Sequence, residues 1–105
     1  MYVNVPRAGA VTLEDADNFR AFEVRVAGEQ QSGSALAARL GAAAARVDDG
    51  HAWVNDAWLR AQGAPRGEAW LADFGKMIGF ARKQGWVDES TQAVRAHVEW
   101  NGGAR

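Results

Sequence analysis

Three polar side chains at alternate positions near residue 97 carry the clearest acid–base chemistry in this sequence. Arg95, His97 and Glu99 alternate with apolar residues in the segment AVRAHVEW, so an extended strand would project all three from one face. A histidine beside a carboxylate can transfer protons, and a nearby guanidinium can hold an anionic substrate. These residues form the candidate catalytic set of an isomerase or a hydrolase.

The same alternation also has a simpler interpretation. One polar face is expected of any half-covered strand, and opposite charges on neighbouring strands stabilise a sheet slightly. Glu23 and Arg25, in the alternating segment FEVRV, would lie across from the three residues if the two strands are neighbours. A ladder of charges is favoured because alternation alone already predicts polar residues there.

The second candidate site is formed by aromatic residues in the second half of the sequence. All five tryptophans follow residue 50, and each indole buries a large apolar surface while its N–H needs a partner. Such rings either build the core or line an apolar pocket for a small molecule. The residues predicted to contact a ligand are Trp53, Trp70, Phe74, Phe80 and Trp86.

Other motifs argue against several kinds of site. Asp48, Asp49, His51 and Asp56 offer oxygen and imidazole ligands, but their spacing matches no known metal site, and Asp-Asp-Gly is ordinary turn chemistry. No glycine-rich nucleotide loop or GxSxG motif occurs, and the two histidines lie on distant segments. The sequence therefore predicts no metal and no cofactor.

Composition narrows the partners and the location. The chain of 105 residues has 12 Lys and Arg against 13 Asp and Glu, and no cysteine. This balance predicts no nucleic-acid or membrane partner, and the absence of cysteine rules out disulfides and thiol chemistry. Without a leader pattern or a long apolar run, we expect a cytoplasmic protein. We expect one domain over 1–105, with a frayed tail at 101–105.

A long amphipathic helix organises the rest of the sequence. Glu68 near its start and Arg82 and Lys83 near its end complement the helix dipole. Gly85 is suited to a left-handed C-terminal cap that folds Trp86 back onto the helix. The helix is predicted over 67–84, and its apolar stripe consists of Trp70, Leu71, Phe74, Met77, Ile78 and Ala81.

Periodicity predicts the other elements. Alternating apolar residues predict strands near 11–13, 19–26, 94–100 and 51–54, with a hairpin joining the first two. Helices are predicted over 34–47 and 56–62, although 51–59 also fits one continuous strand. This order favours an α+β fold in which a small antiparallel sheet is covered on its apolar face by the long helix.

Two functions are compatible with these patterns. One is a module that binds an apolar or amphipathic small molecule, or a second copy of itself as a homodimer, since aromatic surplus and open strand edges favour both. The alternative is the acid–base enzyme in which His97 moves the proton. Folds of this size host both roles, so the fold class does not choose between them.

Overall fold

Across residues 1–48 and 50–101, which the computed structural model describes, the chain forms one mixed sheet with helices packed on one face. The strands are β1 (Tyr2–Val5), β2 (Thr12–Glu14), β3 (Glu23–Val26), β4 (Ala44–Asp48), β5 (His51–Asn55), β6 (Val87–Asp88) and β7 (Ala93–Trp100). The helices are α1 (Gly33–Leu40), α2 (Asp56–Gly63) and α3 (Glu68–Lys83), with short 3-10 turns at Gly41–Ala43 and Ala64–Arg66.

Strand β7 lies in the middle of the sheet. The strand order is β2-β1-β3-β7-β5-β4, in which β1, β3 and β7 run parallel and the other neighbouring pairs are antiparallel. Because β5 pairs with one edge of β7, the short β6 and the strand β3 must share its other edge. The α+β class is therefore confirmed, with a mixed sheet instead of a purely antiparallel one.

The predicted helix over 34–47 is wrong in its second half. Helix α1 ends at Leu40, and Gly41 follows with a positive φ of 54°. The chain then forms β4, which pairs with β5 as a hairpin. Alanine's helix propensity is a weak local preference, and it yields here to the hydrogen bonds and packing available at the edge of the sheet.

The predicted hairpin between 11–13 and 19–26 is also wrong. Strand β1 lies between β2 and β3 and pairs with both. Its Val3 and Val5 are fully buried, and its interior position in the sheet has no local signal in the short N-terminal segment. Strand β3 is shorter than predicted, and 51–59 is a strand followed by a helix.

The core lies between the sheet and the helices, as the apolar stripe of the long helix predicts. Helix α3 buries Trp70, Phe74 and Ile78 in the same cluster as Val94 and Val98 of β7. The Trp70 indole stacks on Phe74 with ring centres 5.1 Å apart, and its N–H donates to the Ala16 carbonyl at 2.9 Å. The indole is therefore both packed and hydrogen-bonded.

The C-terminal cap of α3 has the predicted form. Gly85 has a φ of 79°, the Trp86 N–H donates to the Ala81 carbonyl, and the Gly85 N–H donates to the Arg82 carbonyl. These two bonds form a Schellman motif. Even α3, with sixteen residues the longest helix of the described chain, is too short and too polar to cross a membrane, and so are the others.

The predicted frayed tail lies mostly outside the described residues. Asn101 is the one part of 101–105 that the structure describes, and its N–H donates to the Val26 carbonyl at 2.9 Å. This bond continues the pairing of β7 with β3 for one residue beyond Trp100.

The packing of Trp70 gives a test of the core. A Cβ added at Gly63 would lie 2.1 Å from the Trp70 ring, so Gly63→Ala must displace a large buried side chain. We expect the free energy of unfolding to fall by about 1–3 kcal/mol, as for other overpacked cores. Urea denaturation followed by tryptophan fluorescence measures this change.

Gly75→Ala is the matched control. Apart from its chain neighbours and the surrounding backbone of α3, no heavy atom of the described residues lies within 4 Å of a Cβ at Gly75. Alanine should therefore raise the free energy of unfolding by about 0.5–1 kcal/mol. If both variants changed stability equally, the position of the Trp70 ring against Gly63 would be incorrect.

Candidate functional site

The polar face of β7 has the predicted geometry. Arg95, His97 and Glu99 are exposed, whereas the residues between them are buried. His97 Nε2 lies 2.9 Å from a Glu99 carboxylate oxygen. Strand β3 is the neighbour on this side, and its Glu23 and Arg25 lie across from His97 and Glu99. The predicted placement of these residues on neighbouring strands is therefore confirmed, whereas their ion pairs form within each strand.

The structure also brings together the two histidines, which the sequence separates by 46 positions. His51 of β5 is the register partner of His97, and their rings are 6.3 Å apart between centres. Spacing along the sequence does not reveal this pair, because the pair depends on which strands are neighbours. The only local signal was the alternation of His51 with Trp53 and Asn55. This alternation supported one of the two assignments of 51–59, a single continuous strand.

The predicted ligand-binding aromatics occupy three different places. Trp70 and Phe74 lie in the core. Trp53 lies on the open face of the sheet under the Arg46 guanidinium, 4.3 Å from its ring centre. Its N–H donates to a carboxylate oxygen of Asp48 at 3.3 Å. These three rings therefore have neighbours in the protein that already cover or anchor them.

Phe80 and Trp86 differ from the other aromatics because they remain exposed. Phe80 is 57% and Trp86 37% exposed, and the two rings meet edge to face with centres 6.0 Å apart. Phe80 lies off the centre of the α3 stripe, and the Schellman cap brings Trp86 back toward it. The pair is thus held by the backbone of the helix terminus.

A cavity of about 280 Å³ lies beside this aromatic pair. It opens on the edge of β7 where β6 gives way to β3, next to the backbone bond from the Arg95 N–H to the Trp86 carbonyl. Phe80 and Trp86 meet Arg95 and His97 here, so residues from both predicted candidate sets line one pocket. The remaining lining residues are Phe19, Arg20, Ala21, Phe22, His51, Met77, Ala81 and Val94.

The two walls of this pocket have different chemistry. The wall from α3 and its cap is apolar and aromatic, whereas the wall from β7 and β5 carries Arg95, His97 and His51. Arg20 adds a second guanidinium from the segment before β3. Concave sites with an apolar surface and a few polar groups are typical of small-molecule binding.

No family model, curated protein or solved structure matches this chain.

A metal centre has no support in the described part of the chain. Within residues 1–48 and 50–101, no three histidine or carboxylate side chains converge on a common point. Asp48 instead accepts hydrogen bonds from Arg46 and Trp53, and Asp56 is paired with Arg60. Asp49 lies outside the described residues.

Arg46 is the centre of a second charged cluster on the open face. It contacts Asp48 on its own strand and Asp88 of β6, on the far side of β5 and β7. The guanidinium holds the pKa of the Asp88 carboxyl far below its usual range, and hydrogen bonds from Ser90 lower it further. Arg46 and then the Trp53 N–H also lower the pKa of Asp48.

This cluster predicts how the protein responds to acid. Because folding lowers the pKa of Asp88 from its unfolded value of about 3.9, its stabilising contribution is complete above about pH 5 and is lost progressively at lower pH. Asp88→Asn should lower the free energy of unfolding at pH 7 and flatten its pH dependence between about pH 5 and pH 2. Urea unfolding across this pH range measures both effects.

Asp73→Asn is the control for this experiment. Asp73 is exposed on α3 and accepts no hydrogen bond from any described residue. Its removal should leave the slope of stability against pH close to that of the wild type. Equal slopes for Asp88→Asn and the wild type would contradict a role for the Arg46 contact.

Proposed function

We propose that this protein is a binding module for a small apolar or amphipathic molecule, held in the pocket between α3 and β7. The observation that carries the proposal is the exposed Phe80 and Trp86 pair beside a cavity of about 280 Å³. That volume is near the lower end of the range of about 300–1,000 Å³ for ligand sites, which favours a ligand of one or two rings.

The energetics of the pocket support a ligand. Exposed aromatic rings that adjoin one another are uncommon on a small protein unless something covers them. The core does not need these two rings, because Trp70 and Phe74 already fill the space between α3 and the sheet. A flat molecule placed against Phe80 and Trp86 would bury apolar surface that folding leaves in water.

The proposed function also includes a cellular location. The cysteine-free sequence is compatible with a reducing compartment, and we keep the cytoplasm as the proposed site of action. A cytoplasmic ligand of one or two rings would reach the pocket directly from solvent, since Phe80 and Trp86 border its opening.

Calorimetric titration with naphthalene-2-carboxamide, a neutral two-ring probe, tests the binding proposal. We expect binding to the wild type and a loss of about fivefold or more in affinity for Phe80→Ala, since one aromatic contact is worth about 1 kcal/mol or more. The variant should fold normally because Phe80 is exposed. Lys76→Ala, at an exposed position of α3 outside the pocket, should bind like the wild type.

Sedimentation equilibrium separates a ligand from a second copy of the chain. A monomer that binds the probe supports the proposal. A dimer that Phe80→Ala dissociates, with no probe binding, would assign the aromatic pair to self-association instead. A monomer that binds no probe would leave the pocket proposal without support.

The second candidate is an acid–base enzyme, favoured by the contact of His97 with Glu99 and by the closeness of His51. His97 would take a proton from water as the water attacks an ester carbonyl. The carbon–oxygen bond to the alcohol then breaks, and the alcohol leaves with that proton. The Glu99 carboxylate would orient the ring and stabilise its charged form.

Hydrolysis of 2-naphthyl acetate tests this candidate. The enzyme hypothesis expects a rate about 100-fold or more above buffer, lost in His97→Gln. Asn4→Ala, on the same open face of the sheet but on β1, should retain the full rate. Equal rates for the wild type and His97→Gln would eliminate His97 as the proton-transfer group.

A further inference from the structure

The two arginines that line the pocket have no counter-ion among the described residues. Within residues 1–48 and 50–101, the Arg20 and Arg95 side chains make no hydrogen bond or ion pair, and Arg7 is the only other arginine of which this is true. The arginines that do have protein partners are Arg25, Arg39, Arg46, Arg60, Arg66 and Arg82.

Two carboxylates on β7 and β3, the strands beside the pocket, have partners on their own strands. Glu99 contacts His97, and Glu23 contacts Arg25. Among residues 1–48 and 50–101, those that line the pocket include two arginines and two histidines but no aspartate or glutamate. A molecule entering the pocket therefore meets an excess of positive charge, although the whole chain has a net charge of −1.

Arg95 places part of this positive charge beside the aromatic wall of the pocket. Its guanidinium carbon lies 6.0 Å from the centre of the Trp86 ring. A planar ring against Trp86 would thus place an attached acid group within reach of the guanidinium. Arginine presents a planar fork of donors that matches the two oxygens of a carboxylate.

We propose that the ligand of this pocket is an aromatic carboxylate, with its ring against Phe80 and Trp86 and its carboxylate bound by Arg95. This inference rests on the proposed binding function and adds the chemical class of the ligand. Arg20, which also lines the pocket, supplies further positive charge. The acid group is the feature that distinguishes this ligand from other flat molecules of the same size.

Naphthalene-2-carboxylate and naphthalene-2-carboxamide form the matched pair of probes, since they share shape and differ in charge. Calorimetry should give about tenfold tighter binding of the carboxylate by the wild type, because a charge-assisted hydrogen bond to arginine is stronger than a neutral one. Raising the NaCl concentration from about 0.05 M to 0.5 M should narrow this preference, since salt screens exposed charges.

Arg95→Gln should remove the preference, because it should weaken the binding of the carboxylate about tenfold and leave the affinity for the carboxamide unchanged. Arg95→Lys, which keeps the positive charge but lacks the planar set of guanidinium donors, should retain part of the preference for the carboxylate. Arg7→Gln is the matched control, because Arg7 also lacks a partner among the described residues but borders a different cleft. Proton NMR spectra check that each variant is folded.

The outcomes separate the two proposals. Equal affinity of the wild type for both probes would overturn the carboxylate inference and leave the binding function standing. A preference that survives Arg95→Gln unchanged would remove Arg95 from the site. If neither probe binds at millimolar concentration, the binding function fails and the inference fails with it.

Discussion

The pairing of β7 on both edges is the constraint on which the rest of the structure depends. Strand β5 takes one edge, and the two-residue β6 and the strand β3 share the other. Two strands placed end to end leave a junction between them, and chain segments must enter and leave the sheet there. The pocket lies at this junction, so its position follows from the sheet topology more than from any local motif.

Four aromatic side chains of α3 and its cap form two pairs with different physical roles. Trp70 and Phe74 are buried and stacked, and the Trp70 N–H has a carbonyl partner. Phe80 and Trp86 are exposed and are positioned by the end of α3. The exposed pair at the candidate site is therefore distinct from the buried pair, which is why Phe80 can be altered without opening the core.

Ion pairing on the open face determines the electrostatic character of the pocket. Exposed ion pairs, such as the pair between Arg25 and Glu23, contribute little to stability. They do, however, neutralise the face around the pocket, because each engaged carboxylate is unavailable to Arg95. The positive charge that remains is local, and a net charge of −1 for the chain gives no indication of it.

The sequence by itself determined the elements whose evidence is local. The apolar stripe and cap residues specified α3, and alternation specified the two faces of β7, because helix and strand periodicity act within a few residues. The turn to β4 at Gly41, the insertion of β1 between β2 and β3, and the meeting of His51 with His97 required the tertiary structure. Each depends on contacts between distant segments, which override local propensity and which no spacing within one segment encodes.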